Sequence, residues 1–195
     1  MKRHNPELSL QYIIHLNKKV IMATKILSND FMHQTAISEA WKELSENFSW
    51  SEALLEKYQD QVDWHEISCN SNVVWTVPMV QKFKNRIDWN KFSEYASEAV
   101  MTEPFLDAFK EKWNWSELSD NRNLTMTHEL LEKYADKWDW ERIINIYPHH
   151  LFEDTGMEFY EKYKNYIPTG KLQNSSLWNC IVEQLKIQLM AEITA

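Results

Sequence analysis

From residue 41 onward, the apolar and polar positions follow one rhythm. A tryptophan is followed three positions later by a second apolar residue: Trp64/Ile67, Trp89/Phe92, Trp115/Leu118 and Trp140/Ile143. That spacing puts both side chains on one helical face. Asp63, Asp88, Asn114 or Asp139 stands immediately before each tryptophan. Such side chains accept from the free N–H groups of a first helical turn, so each pair predicts the start of a short helix. A second stripe then follows with spacing i, i+1, i+4, i+8. Its members are Leu54, Leu55, Tyr58, Val62; Met79, Val80, Phe83, Ile87; Phe105, Leu106, Phe109, Trp113; Leu130, Leu131, Tyr134, Trp138; and Phe159, Tyr160, Tyr163, Ile167. Ser51, Thr76, Thr102 and Thr127 precede the first four stripes, with Pro78 and Pro104 in the first turn, which predicts a second, longer helix. Trp50, Trp75, Met101 and Met126 precede those caps, and Leu55, Val80, Leu106 and Leu131 lie four residues after them. This is the spacing of a hydrophobic staple.

The two helices together make a unit, clearest at Trp115–Trp140. The unit recurs at Trp64–Trp89 and Trp89–Trp115 with a period of 25 or 26 residues. Trp41–Trp64 is slightly shorter and Trp140–Ile167 slightly longer. A fixed period of this size predicts an all-α, solenoid-like array of about five short helical hairpins, each burying its apolar face against its neighbours. The expected organisation is an N-terminal helical cap over 1–40, tandem repeats over 41–167 and a C-terminal capping helix over 168–195. Within the N-terminal part, Pro6, Leu10, Ile13, Ile14 and Leu16 predict an opening helix over 6–28. Pro168-Thr169-Gly170 predicts a stop and a linker. After a cap at Asn174–Ser176, Leu177, Trp178, Ile181, Leu185 and Leu189 form the main stripe of a last helix. Val182, Ile187 and Met190 fall off that stripe and leave a second apolar side. Trp115 and Trp140 are expected to be largely buried.

The phrase W-S-E-L-S-x-N followed by E-L-L-E-K-Y-x-D-K-W-D-W, at residues 115–140, resembles a tandem tryptophan repeat of bacterial and mobile-element proteins. Residues 41–64 carry it nearly as well, as WKELSEN and EALLEKYQDQVDW. The similarity covers roughly 41–167 and implies the repeat architecture; it implies no catalytic role. Unit 64–89 departs from it, with Val-Gln-Lys-Phe in place of Leu-Glu-Lys-Tyr, and unit 140–167 lacks the closing Asp-Trp.

Composition agrees with an all-helical chain. There are 2 glycines and 5 prolines in 195 residues, few for turn-rich sheets or phosphate-cradling loops. The formal net charge of −8 disfavours a non-specific binder of nucleic acid or anionic membrane. The two cysteines, Cys69 and Cys180, lie far apart, as expected in a reducing compartment. The N-terminus lacks the pattern of a signal peptide, and no run approaches a membrane span. A cytoplasmic protein is expected.

The residues point to no catalytic constellation, cofactor or metal. His65 and Cys69, spaced i,i+4, form one possible metal edge without a second pair nearby. His149-His150 reads as a loop pair. Carboxylates recur at Glu56, Asp107, Glu132 and Glu161, which marks them as scaffold features. Lys57, Lys82, Lys133 and Lys162 form a ladder broken at Ala108, expected to be a solvated mixed-charge face.

The expected function is non-enzymatic binding of another macromolecule. A narrower expectation is a mobile-element inhibitor of a host RNA-guided nuclease (anti-CRISPR-like), carrying negative charge into a basic groove. Alternatives are a nucleic-acid-binding module, a structural scaffold or an unrecognised enzyme. Two rival surfaces are candidates for partner binding. One is the acidic trio Glu52, Glu56 and Asp60, in residues 39–63 with seven acids and two lysines. The other is the basic trio Lys82, Lys84 and Arg86, in the only unit with net positive charge.

Overall fold

Each Asp or Asn before a unit-opening tryptophan starts a helix, as its capping chemistry requires. Asp63, Asp88, Asn114 and Asp139 each accept from the N–H groups two and three residues on. The computed structural model describes residues 30–146 and 150–195; the helix expected over 6–28 lies outside them. The described residues form twelve helices and no strand. In order these are α1 (Asp30–Asn47), α2 (Glu52–Tyr58), α3 (Trp64–Cys69), α4 (Val77–Phe83), α5 (Trp89–Tyr95) and α6 (Glu103–Ala108). They continue with α7 (Trp115–Leu118), α8 (His128–Lys133), α9 (Trp140–Ile143), α10 (Gly156–Tyr163), α11 (Thr169–Leu172) and α12 (Ser176–Thr194).

The helices that carry the unit tryptophans pack on one another in sequence: α1 on α3, α3 on α5, and α5 on α7. One hydroxyl joins each successive pair. Ser45, Ser68, Ser93 and Ser119 stand four residues after a tryptophan and donate to its carbonyl at 2.6–2.7 Å. The same oxygens accept from the backbone N–H of Asp63, Asp88, Asn114 and Asp139, the caps of the following unit, at 2.8–3.0 Å. All four serines are buried, so this is how a backbone N–H at the junction finds its partner away from water. Asn70 and Asn121 add a second tie. The buried Nδ2 of Asn70 donates to the carbonyls of Ser45 and Phe48, and that of Asn121 to Ser93 and Ala96.

The second helices are shorter than the apolar stripe suggests. Val62, Ile87, Trp113, Trp138 and Ile167 lie beyond the helix ends. One further turn still carries them inward, each N–H bonding to the carbonyl four residues earlier, and all five are buried. Ser51, Thr76 and Thr127 cap as expected. Thr102 makes no side-chain cap bond; its N–H is held by the Val100 carbonyl in a tight turn.

The nine tryptophans between residues 41 and 140 divide into two groups. Trp50, Trp75, Trp113, Trp138 and Trp140 are buried, whereas Trp41, Trp64, Trp89 and Trp115 are half-buried. Of the two expected to be largely buried, Trp140 is buried outright, and Trp115 packs against the core with part of its indole at the surface. In Trp64, Trp89, Trp115 and Trp140 the indole Nε1 donates to a carbonyl five residues earlier, at 2.7–2.9 Å. This bond pins the indole at the turn, where one edge can reach the surface while its face packs on Phe83, Phe109, Tyr134 or Tyr163.

The ends differ in detail from the sequence boundaries. α1 runs through residues 40 and 41, so Trp41 lies within a longer helix. The segment expected as a linker after Pro168 contains α11, whose buried Leu172 stands three positions after Thr169. α12 packs against α10 through Leu177 and Ile181. No described helix is long and apolar enough to cross a membrane, and Cys69 and Cys180 are unbridged.

Candidate interaction surfaces

The residue after each opening tryptophan reaches the next unit. Lys42 pairs with Glu66 at 3.3 Å, and His65 Nδ1 meets Asp88 Oδ2 at 2.9 Å. Asn90 Oδ1 accepts from Asn114 Nδ2 at 2.9 Å, Ser116 donates to Asp139 at 2.7 Å, and Glu141 holds Lys171 at 2.8 Å. Burial pushes the Asp88 carboxyl upward, but the His65 hydrogen bond and the amides of Lys91 and Asn90 outweigh it and leave it below its ordinary value.

The two candidate trios are partners of one another. Lys82 Nζ lies 3.1 Å from Glu52 and 2.8 Å from Glu56, and Arg86 donates to Asp60 at 2.7 Å and to the Gln59 carbonyl at 3.1 Å. Lys84 makes no ion pair with a described residue; its carbonyl receives the Trp89 indole. Neutralising the acidic trio therefore strips Lys82 and Arg86 of their counter-charges, and neutralising Lys82 and Arg86 strips the acidic trio of its own.

The lysine ladder continues this pattern as rungs between units. Lys133 pairs with Glu103 and Asp107, and Lys162 with Glu132. Where the ladder breaks, both sides of the rung are missing: Ala108 stands in the lysine register and Gln81 in the preceding acid's. Tyr134 adds a 2.6 Å bond to Asp107. Burial, then the Asp107 contact, pushes the Tyr134 phenol up to about 12. Hydrogen bonds from Lys133 and then Tyr134 hold Asp107 below its ordinary value.

His65 and Cys69 both have partners within the protein. His65 is engaged with Asp88, and the Cys69 thiol donates to the His65 carbonyl at 3.4 Å. Burial pushes that thiol up to about 11 against the pull of Lys91. No cluster of three or more His, Cys, Asp or Glu placed to hold a metal occurs among the described residues. His149 lies outside them, and His150 meets the Met126 carbonyl at 2.9 Å.

A concave feature lies at the C-terminal end, between α10 and α12. It encloses about 520 Å³ and is lined by Glu153, Asp154, Glu158, Glu183, Met157 and Ile187, among others. Beside it, a Cβ at Gly156 would sit 3.2 Å from both the Ile181 Cγ1 and the Ile181 backbone nitrogen, a tight contact that the residue without a side chain avoids where α10 meets α12. Beyond Gln184, whose Oε1 accepts from the Met157 N–H at 3.2 Å, every residue of α12 is exposed. Sequence reasoning found the second apolar side of this helix but missed the groove, because Glu153–Glu158 and Cys180–Ile187 belong to no shared motif.

Comparison of the chain with protein-family models, with curated proteins and with solved structures returns no match.

Proposed function

We propose that this chain is a solenoid-like array of about five helical hairpins that binds another macromolecule and catalyses no reaction. One observation carries the reading. In five successive units the side chain after the opening tryptophan bonds to the next unit, through Lys42, His65, Asn90, Ser116 and Glu141. Recurrent polar residues joined in this way hold units in register, as a stacked scaffold requires. Surface for a partner is then left mainly at the ends, where α1 exposes Met32 and Ile37, and α12 exposes Leu185, Ile187, Leu189, Met190 and Ile193.

Within this reading, a net charge of −8 suits a protein partner with a basic groove, and an RNA-guided nuclease is one such partner. Against direct nucleic-acid binding, Lys82 and Arg86 already face carboxylates of the preceding unit, which reduces the field they offer to phosphate. The test is affinity capture with the tagged full chain from its native host, followed by mass spectrometry and reconstitution from purified components. A stoichiometric complex with a protein or ribonucleoprotein supports the proposal. Salt-sensitive binding to naked RNA or DNA, lost on neutralising Lys82, Lys84 and Arg86, overturns it in favour of a nucleic-acid module.

A further inference from the structure

We infer that a second copy of this chain docks on the outer apolar row of α12, pairing the two last helices in a closed dimer. Self-pairing goes beyond the binding reading above and does not rest on it.

α12 has two unlike sides. Leu177 and Ile181 are buried where it meets α10, and Cys180, Gln184 and Ile187 line the groove on that same side. Val182, Leu185, Leu189, Met190 and Ile193 follow one another at i, i+3, i+7, i+8 and i+11, which gathers them on the outer face. They are 42–83% exposed, and together with Lys186 they line one apolar depression. Every residue after Gln184 is exposed, so nothing among the described residues covers this row. A helical stretch this short is marginal in water, and in proteins its stability comes mostly from packing an apolar face.

Area and charge together select a second copy. A contiguous apolar patch beyond a few hundred Å² marks an interaction site. Two rows exposed to this degree, laid face to face, would bury about 1,000 Å², the lower bound for a specific interface. A two-fold interface sets a patch against itself, so a patch with net charge would repel its own copy. Among the described residues lining the row, Lys186 alone is charged, and Glu183 of the same helix meets its ammonium at 2.9 Å. The row is therefore neutral, and it offers no counter-charge to a basic or an acidic partner. Pairing also covers the free end of the array in both copies, as a stack of repeats requires. A head-to-tail contact with α1 fits less well. That helix carries Glu39, Glu43 and Glu46 against Lys42, and contacts of that kind extend into filaments unless they close into a ring.

Sedimentation velocity and light scattering of the full chain, across a range of micromolar concentrations, test the pairing. The expected result is a monomer–dimer equilibrium with no larger species. The double variant Leu189→Ser, Ile193→Ser should raise the dimer dissociation constant by about ten-fold or more. Both residues are more than half exposed, at 56% and 83%. At monomeric dilution the variant should therefore match the unaltered chain in circular dichroism and melting temperature, which separates lost pairing from lost folding. Ile187→Ser, on the groove side of α12, and Ile37→Ser, on α1, should leave the dimer intact. A chain that stays monomeric at every concentration overturns the proposal, including a monomer that instead binds phosphatidylcholine vesicles through the row. So does a dimer that survives Leu189→Ser, Ile193→Ser, and so does a growing series of oligomers abolished by Ile37→Ser, the signature of head-to-tail stacking. Failure of the binding reading would appear separately, as no partner captured by the full chain.

Discussion

Ser93 and Asn114 are 21 residues apart in the chain, and the Ser93 hydroxyl accepts the Asn114 backbone N–H at 3.0 Å while donating to the Trp89 carbonyl at 2.6 Å. The same three-atom bridge recurs at Ser45, Ser68 and Ser119. In the following unit both of its ends change: Ile144 takes the serine's register and Pro168, which has no N–H, takes the cap's. Donor and acceptor are lost together, so no polar group is stranded.

Ser93→Ala should cost about 1–3 kcal/mol, because it leaves the N–H of Asn114 without a partner at a buried junction. Ile144→Ser gains no compensating donor from Pro168 and should cost about 2–5 kcal/mol through loss of a fully buried side chain. Urea unfolding of both variants tests the pair; a neutral Ser93→Ala would remove the bridge from the account of stability.

Tyr134 and Tyr163 occupy equivalent stripe positions but differ in their hydroxyls. Tyr134 donates to Asp107 at 2.6 Å, whereas the buried Tyr163 hydroxyl has no hydrogen-bond partner among the described residues. Tyr134→Phe should destabilise by about 0.5–1.5 kcal/mol, and Tyr163→Phe should be neutral or stabilising. Thermal melts of the two variants should separate in that order.

Among the tryptophans, Trp138→Ala should cost about 3–5 kcal/mol, the range for a buried large aromatic. Trp115→Ala should cost less, because Trp115 is only half-buried. If chemical denaturation finds Trp115→Ala the more damaging, its indole bond to the Lys110 carbonyl contributes more than burial does.

Acid should weaken the rung between the units that contain Asp107 and Lys133. Asp107 titrates below its ordinary value in the folded chain, with Lys133 and then Tyr134 as the causes. Its contribution is therefore present above the ordinary aspartate pKa and is lost as pH falls through the lowered folded value. Asp107→Asn should flatten the decline in stability below about pH 4, measured as denaturation midpoints between pH 7 and pH 2. An unchanged acid limb would show that this exposed rung contributes nothing measurable.

Gly156→Ala should destabilise by about 1 kcal/mol, since overpacking at a close helix approach outweighs the better helix propensity of alanine. Its added Cβ meets the Ile181 backbone nitrogen as well as the Ile181 side chain, so a rotamer change alone cannot relieve the contact. A rise in melting temperature would show that α10 and α12 separate without cost.

What the sequence by itself determined is local. The caps at Asp63, Asp88, Asn114 and Asp139, the staples and the apolar stripes act within a turn or two of helix, where chemistry and spacing are visible in the chain. The period followed because the same local solution is written repeatedly. Tertiary structure alone decided how the units use their polar residues. Glu56 and Lys82 look like separate solvated charges until stacking brings residues 26 apart to 2.8 Å. Stacking also left Trp115 half-buried and Trp140 buried, although both open a unit in the same way, and it recruited Pro168 and Leu172 into another short helix. The C-terminal groove lies where α10 and α12 meet, beside the close approach of Gly156 and Ile181. Such features depend on distances between segments, and those distances are fixed by packing rather than by any local pattern.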